Sequence, residues 1–327
     1  MSLFQRPRRL SGGFQRLRRL SWAPRRRVIG IVGVVAAVGL SACASGSPAA
    51  SPGSGGRISV VAAENFWGSI ASQLGGNRVS VTSIISDPNA DPHSYEPTPG
   101  DGRTVATAQM MILNGIGYDP WANKLLAANP TSGRTVLNVG DLVHVPVGGN
   151  PHRWYDPTNV RQVIAQITAD YQAIDPKDAA YFNHREQVYE NVTLAPYNAL
   201  ITSIRATYAG TPIGASESIV SPLAQALGLD MLTPASFLTA ISEGSDPTAA
   251  DKATIDQQIS KRQIAVYVYN SQNATPDIAA QVAEAKANHI PVATVTETLA
   301  PANQTFQAWQ VRELQGIKAA LATATGK

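Results

Sequence analysis

The chain has 327 residues, 44% of them hydrophobic and 15% charged, which is enough to form two compact lobes. Its formal net charge is +3, but nine of its 26 basic residues are arginines in the first 27 positions, which contain no acidic residue. The rest of the chain has 17 basic residues against 23 acidic ones. With a net charge of −6 beyond residue 27, the charge of the chain gives no reason to infer a nucleic-acid partner. The single cysteine excludes internal disulfides.

The N-terminal 42 residues have the organisation of a secretory signal peptide. The arginine-rich segment precedes an uncharged apolar run, residues 28–40, which is shorter than the roughly 20 residues of a transmembrane helix. The only cysteine, Cys43, comes directly after this run, and the pattern resembles a bacterial lipobox. We predict a lipoprotein signal peptide in 1–42, and a lipidated Cys43 with a flexible tether in 43–57. A plain secretory signal with a free cysteine is the alternative.

Residues 58–175 alternate between short apolar runs and helical patterns. The runs predict strands, and the intervening segments predict helices with proline or glycine at their ends. The predicted strands are 58–62, 79–85, 110–113 and 135–139, and the predicted helices are 66–74, 102–108, 120–128 and 157–174. Such alternation is typical of a parallel sheet covered by helices on both faces. We therefore predict an N-terminal α/β lobe.

Residues 176–208 predict a long connecting helix between this lobe and a second one. Pro196 lies inside the connecting helix and removes a backbone donor, so a kink or a break is expected near Leu194. The alternation then restarts in residues 209–327, with strands at 212–215, 265–269 and 292–295 and helices at 218–227, 248–261, 276–287 and 305–322. The predicted fold class is α/β: two lobes with parallel sheets, joined by the connecting helix, with a cleft between them.

Four residues with metal-binding side chains follow predicted strands. His93 and His152 each lie on a loop directly after a proline, while Glu217 and Glu297 follow two strands of the second lobe. Taken alone, each of the four is more typical of an ordinary turn, helix start or solvated loop. Together, two imidazoles and two carboxylates suit a borderline divalent cation, because the carboxylates neutralise its charge and imidazole disfavours calcium and magnesium.

Several motifs extend this interpretation to a family. The chain resembles the solute-binding proteins of bacterial zinc/manganese ABC transporters, the cluster A-I family. The matching residues are 60–63, 75–76, 90–98, 114–121, 151–154, 156–157 and 175–181. Of these, the motif around His93 is the most specific. The resemblance implies two lobes joined by one rigid helix, with a metal ion between the lobes and an ABC permease as partner.

The resemblance also implies roles for individual residues. The family's first two ligands are the histidines of its Asp-Pro-His and Pro-His-x-Trp motifs, which correspond to His93 and His152. Its third ligand corresponds to Glu217. The fourth is usually an aspartate, whereas this chain has Glu297, which is longer by one methylene. His144 is a further candidate, as an entry or accessory ligand near His152.

The sequence therefore predicts a monomeric, non-enzymatic binding protein, lipid-anchored to the outer face of the cytoplasmic membrane. It would capture Zn(II) or Mn(II) as transported ligand. Two alternatives remain at this point. If Glu297 does not bind the metal, three ligands and an open water position would suit a secreted metallohydrolase. If the histidines are only hydrogen-bond donors, the ligand would be an organic solute.

Overall fold

A computed structural model describes residues 56–327 of the chain. This part contains two four-stranded sheets, each at the centre of an α/β lobe. The predicted signal peptide, Cys43 and nearly all of the tether lie outside the described residues. No helix between residues 56 and 327 is both long enough and apolar enough to span a bilayer.

The N-terminal lobe is built on a fully parallel sheet with the strand order β2-β1-β3-β4. Its strands are β1 (Ile58–Glu64), β2 (Val79–Ile85), β3 (Met110–Leu113) and β4 (Thr135–Asn138). Its helices are α1 (Asn65–Gly75), α2 (Pro99–Ala106), α3 (Pro120–Ala128), α4 (Val139–Leu142) and α5 (Pro157–Ile174). Strands β1 and β3 are buried on both faces, which explains the continuous apolar runs 60–63 and 110–113.

The connecting segment is interrupted where the sequence predicts. Helix α6 (Ala179–Val188) ends in a π-helical turn, Tyr189–Thr193, and α7 (Ala195–Tyr208) begins after Leu194. Pro196 occupies the first turn of α7, where its missing N–H removes no helical hydrogen bond. The predicted break near Leu194 is therefore confirmed, and the two lobes are joined by a segmented helical region.

The C-terminal lobe repeats the topology of the first, with the strand order β6-β5-β7-β8 and all strands parallel. Its strands are β5 (Pro212–Ala215), β6 (Asp230–Met231), β7 (Val266–Asn270) and β8 (Val292–Val295). Its helices are α8 (Ser221–Leu227), α9 (Ala235–Ser242), α10 (Ala249–Ser260), α11 (Pro276–Ala287) and α12 (Phe306–Thr325). The sequence did not predict β6 or α9. The predicted fold class, two parallel-sheet α/β lobes, is confirmed.

Helix α12 belongs to the second lobe but also contacts the first. The side-chain amides of Gln73 on α1 and Gln307 on α12 exchange hydrogen bonds of 3.0 and 2.8 Å. The backbone N–H of Phe306 donates to the hydroxyl of Ser69 at 2.9 Å. Because the carboxyl ends of the strands in each sheet carry the loops, the predicted ligands lie on loops that face the boundary between the lobes.

Candidate metal site

Three of the four predicted ligands lie close together in the structure. One ligand atom from each of His93, His152 and Glu297 lies within 4.8 Å of the other two. His93 is on the loop after β2, His152 is on the loop after α4, and Glu297 follows β8 in the other lobe. Ligand atoms around one ion, each about 2.0–2.2 Å from it, are separated by roughly 3–4 Å, so small side-chain adjustments would bring these three into contact with a cation.

Both imidazoles present a free nitrogen. The side-chain oxygen of Asn150 lies 2.9 Å from Nδ1 of His152, so Nδ1 carries the hydrogen and Nε2 keeps a lone pair. The His93 ring packs edge-on against Tyr118, with ring centroids 4.6 Å apart. In the described part of the chain, Nε2 of His93 and Nε2 of His152 are buried without a hydrogen-bond partner. Buried polar atoms without partners are uncommon, and two of them side by side indicate a site for a cation.

Burial also keeps both histidines neutral. It lowers the pKa of His93, although the nearby acids Asp91 and Glu243 oppose the shift. The pKa of His152 falls well below its ordinary value, because this side chain is fully buried and His93 is adjacent to it. A metal ion binds the neutral form of imidazole, so neither histidine has to lose a proton near pH 7.

Glu297 is held by residues from both lobes. The hydroxyl of Tyr118, in the first lobe, donates to Oε2 at 2.9 Å, and the side-chain amide of Asn270, in the second lobe, donates to Oε1 at 3.1 Å. Burial raises the pKa of Glu297 to about 8, and the charge of Glu217 contributes to this rise. The carboxyl group is therefore oriented before any ion arrives, and it holds a proton that a cation would displace.

Glu217 lies outside the group of three but near it. It is fully buried two residues after β5, and the side-chain amide of Asn273 donates to Oε2 at 3.1 Å. Its other oxygen, Oε1, is buried and has no partner among residues 56–327. Burial raises the pKa of Glu217 to about 7. A buried carboxyl with one free oxygen, electrostatically coupled to Glu297, has the chemistry of a fourth ligand.

Two cavities at the boundary of the lobes reach His93. One, of about 480 Å³, lies between the loop containing Val147 and helix α9. The other, of about 420 Å³, has Glu297 in its wall and two exposed acids, Asp91 and Glu243, beside it. A small cation can therefore approach the candidate ligands from the cleft, past negative charge that attracts it.

The remaining sequence candidates have other surroundings. His144 has a positive φ of 56° and is not part of the histidine and glutamate group described above. Trp121 and Trp154 are buried and pack against other aromatic rings, and Tyr95 lies edge-on to Trp121 at 4.9 Å. Trp154 is also 5.2 Å from His152, centroid to centroid. These contacts indicate that the aromatic side chains pack the lobe and the edge of the cleft.

Sequence reasoning missed the residues that hold the candidate ligands: Tyr118, Asn150, Asn270 and Asn273. Each lies at or beyond the end of a strand or on the loop of a candidate ligand. Asparagine after a strand is too common to single out, because it is also a frequent turn residue. Tyr118 lies within one of the motifs that carry the family resemblance, and that was its only signal.

A second pair of buried acids lies behind the site, in the N-terminal lobe. The Asp119 carboxylate accepts hydrogen bonds of 2.7 Å from the backbone N–H groups of Asn114 and Gly115, and burial raises its pKa to about 6. Glu64, the last residue of β1, is fully buried, and no donor among the described residues reaches its oxygens. Burial and the charge of Asp119 raise the pKa of Glu64 well above its usual value. A raised pKa keeps Glu64 protonated, and a protonated carboxyl can donate to the neighbouring Asp119 instead of requiring a donor.

Comparison with known proteins agrees with this fold. Residues 60–320 match the family described as ZnuA, zinc-uptake complex component A periplasmic. The manganese-binding lipoprotein MntA of Halalkalibacterium halodurans is 29% identical over 137 residues, covering 40% of this chain and 45% of MntA. The iron-binding protein YfeA of Yersinia pestis is 29% identical over 140 residues, covering 41% of this chain and 44% of YfeA. The chain thus spans about half the length of the curated relatives that it matches.

A solved structure supports the same fold over a longer range. The Mn-bound form of a mutant periplasmic metal binding protein from Candidatus Liberibacter asiaticus superimposes with a TM-score of 0.68 at 20% identity. The match covers 80% of this chain and 98% of that protein. The family resemblance found in the sequence is confirmed, because the family match extends across both lobes. The chain belongs to the ZnuA family, the periplasmic component A of zinc-uptake complexes.

Proposed function

We propose that this protein is an extracytoplasmic solute-binding protein that captures a divalent transition metal for uptake by an ABC transporter. The observation that carries the proposal is the close approach of three metal-binding side chains from two lobes, with two buried imidazole nitrogens that lack partners among the described residues. The family match to an uptake-complex component favours a binding protein over the secreted hydrolase that the sequence left open.

The proposed ligands are His93, His152, Glu217 and Glu297. Two neutral imidazoles and two carboxylates give a net charge of −2, which the dication neutralises, so the loaded site is a buried but uncharged assembly. Below about pH 7, each carboxyl holds a proton in the metal-free protein, since burial raises its pKa. Capture therefore exchanges a metal ion for protons, and acidification promotes release.

The proposed cargo is Zn(II) or Mn(II). Mixed imidazole and carboxylate ligands suit both ions, and the Irving–Williams order predicts tighter binding of Zn(II). Relatives named for manganese and for iron support a first-row transition metal. The ion is a transported ligand here and is released to the partner.

The proposed partner is a membrane-embedded ABC permease, and the proposed location of the protein is the outer face of the cytoplasmic membrane. A lipid on Cys43 would anchor the chain, after removal of residues 1–42, through the tether 43–57. The two lobes, 58–175 and 209–327, and the connecting segment 176–208 would act as one monomer. The negative charge of the chain beyond residue 27 supports a cationic ligand and no role for nucleic acid.

Metal titration of the purified protein tests the proposal. The chain is stripped with a chelator and titrated with Zn(II) and Mn(II) in competition with a chromophoric chelator. His93→Ala should abolish tight binding, because it removes a ligand and leaves the others around an incomplete site. His184→Ala is the matched control, since His184 is exposed on helix α6. Absence of Zn(II) and Mn(II) binding by the wild-type protein would refute the proposal.

A further inference from the structure

Four buried residues form a hydrogen-bonded seam between the lobes, beside the candidate metal site. They are Tyr155, Thr296, Trp309 and Glu313, and we call them the Tyr155 seam. The hydroxyl of Tyr155, in the first lobe, donates to Oε2 of Glu313 on α12 at 2.5 Å. It also lies 2.8 Å from the backbone carbonyl oxygen of Thr296. The seam therefore joins the first lobe to a helix and a loop of the second.

Glu313 and Thr296 are themselves fixed by their neighbours. The indole N–H of Trp309 lies 2.8 Å from both Oε1 of Glu313 and the hydroxyl of Thr296. That hydroxyl is also 2.9 Å from Oε1 of Glu313. All four residues are buried, so these hydrogen bonds are shielded from water and hold their partners in one arrangement.

The seam joins the two loops that carry candidate ligands. Tyr155 ends the short 3-10 turn Arg153–Tyr155 that begins directly after His152. Thr296 immediately precedes Glu297 in the chain. A hydroxyl that bonds the Thr296 backbone therefore sets the distance between the His152 loop and the Glu297 loop, although its hydrogen bonds go to neither candidate ligand side chain.

The loop that carries His93, residues 86–98, has no comparable hydrogen-bonded connection to the second lobe. Its hydrogen bonds run to other residues of the first lobe, such as the indole N–H of Trp121, which donates to the carbonyl of Pro92 at 3.0 Å. Over residues 86–98, the structure gives no hydrogen bond to the second lobe. The candidate site thus has one edge fixed across the lobes and another edge that is fixed within one lobe only.

We propose that Tyr155 and Glu313 are positioning residues for metal capture, because the Tyr155 seam preassembles His152 and Glu297 as a half-site to which the His93 loop adds the next ligand. This inference rests on the proposed function. Metal affinity depends on the placement of ligands within a few tenths of an ångström, so loosening the seam weakens binding without removing a ligand.

The principal test compares two tyrosine variants of the full-length protein, purified in detergent. Tyr155→Phe removes the hydroxyl of the seam. Tyr171→Phe removes another fully buried hydroxyl, which donates to the carbonyl of Ala71 at 3.0 Å inside the first lobe. Both variants lose a buried hydroxyl and should be less stable, Tyr155→Phe the more so because it leaves two partners, Glu313 and the Thr296 carbonyl, without this hydroxyl. Only Tyr155→Phe should weaken Zn(II) binding, by about 10-fold, the low end of the effect of residues that orient ligands.

Cobalt(II) gives a readout that a purely structural role would not change. Its visible absorption depends on the number and geometry of its ligands, so a displaced half-site alters the spectrum. We expect an altered Co(II) spectrum for Tyr155→Phe and a wild-type spectrum for Tyr171→Phe.

Substitutions at Glu313 provide a second route if Tyr155→Phe does not fold. An amide of the same shape keeps an oxygen that accepts from Trp309 and Thr296, and its NH2 group can donate to the Tyr155 hydroxyl. Glu313→Gln should recover most of the affinity that Glu313→Ala loses. Wild-type affinity and a wild-type Co(II) spectrum in both Tyr155→Phe and Glu313→Ala would overturn the inference. If the wild-type protein binds no metal, the proposed function itself has failed.

Discussion

The two lobes carry a buried glutamate at the same topological position, and the two residues have opposite surroundings. Glu64 ends β1 and Glu217 follows β5. Each of these strands is the second in its sheet: β1 lies between β2 and β3, and β5 lies between β6 and β7. Burial raises the pKa of both. Glu64, however, lies against Asp119 within its own lobe, whereas Glu217 has a free oxygen and lies near Glu297. Repetition of a topology therefore supplies a site for an acid, and the neighbouring residues decide whether it serves structure or ligand binding.

The largest expected difference between the two acids is in metal affinity. Glu217→Gln removes a proposed charged ligand and leaves the dication undercompensated, so Zn(II) binding should weaken on the order of 100-fold. Glu64→Gln keeps a donor toward Asp119 and should change the affinity less than about threefold. Competition titration with a chromophoric chelator measures both values. Equal losses of Zn(II) affinity in the two variants would contradict the assignment of different roles to Glu217 and Glu64.

The next effect is the release of protons on binding. Below about pH 7 the carboxyls of Glu217 and Glu297 both hold protons, since their pKa values are raised to about 7 and about 8. Zn(II) affinity should therefore fall as the pH is lowered from about 9 to about 6, because the ion must displace these protons. Calorimetry in buffers of different ionisation enthalpy should give about two protons released per ion near pH 6 and almost none near pH 9.

Calorimetric counting of released protons also distinguishes Glu217 from Glu64. Glu64→Gln should release as many protons as the wild-type protein, whereas Glu217→Gln should release about one fewer near pH 6. A proton count that does not vary with pH would contradict the assignment of raised pKa values to the proposed ligands.

The smallest effect concerns the stability of the metal-free protein. Because the folded state raises the pKa of Glu64, its contribution to stability is complete below the ordinary pKa and is lost as the pH rises through the raised value. Glu64→Gln cannot ionise, so its free energy of unfolding relative to wild type should increase as the pH rises above the ordinary pKa of glutamate, by up to about 1.4 kcal/mol per pH unit. Urea denaturation with a chelator present measures this change. A parallel pH dependence in both proteins would remove Glu64 as its source.

Much of the fold could be predicted because strands are short runs of continuous or alternating apolar residues and helices often begin at proline. Val79–Ile85 and Pro120–Ala128 begin and end as the sequence indicates. Strand β6, Asp230–Met231, could not be found, since two residues have no periodicity and the strand exists only through pairing with β5. The prediction also ended β1 at residue 62, so Glu64 was never recognised as a buried acid.

The candidate site was predictable only in part, for a related reason. His93 and His152 stood out because proline precedes each of them on a loop after a predicted strand. Their surroundings were not predictable, since the contacts come from remote parts of the chain. Tyr118 and Glu297, for example, are 179 positions apart and meet only when the lobes pack together. A sequence pattern describes neighbours along the chain, and a hydrogen bond across a cleft has no such pattern.

The Tyr155 seam also has a consequence for the order of folding. Tyr155 and Glu313 are 158 positions apart, and contacts between such distant residues close a long loop and form late. The proposed half-site of His152 and Glu297 would therefore be completed only when helix α12 docks. In zinc-finger domains the metal drives folding, whereas here we expect the metal to bind a chain that has already folded. A partly folded chain would bind metal weakly, so transition-metal ions would not be trapped before the protein is complete.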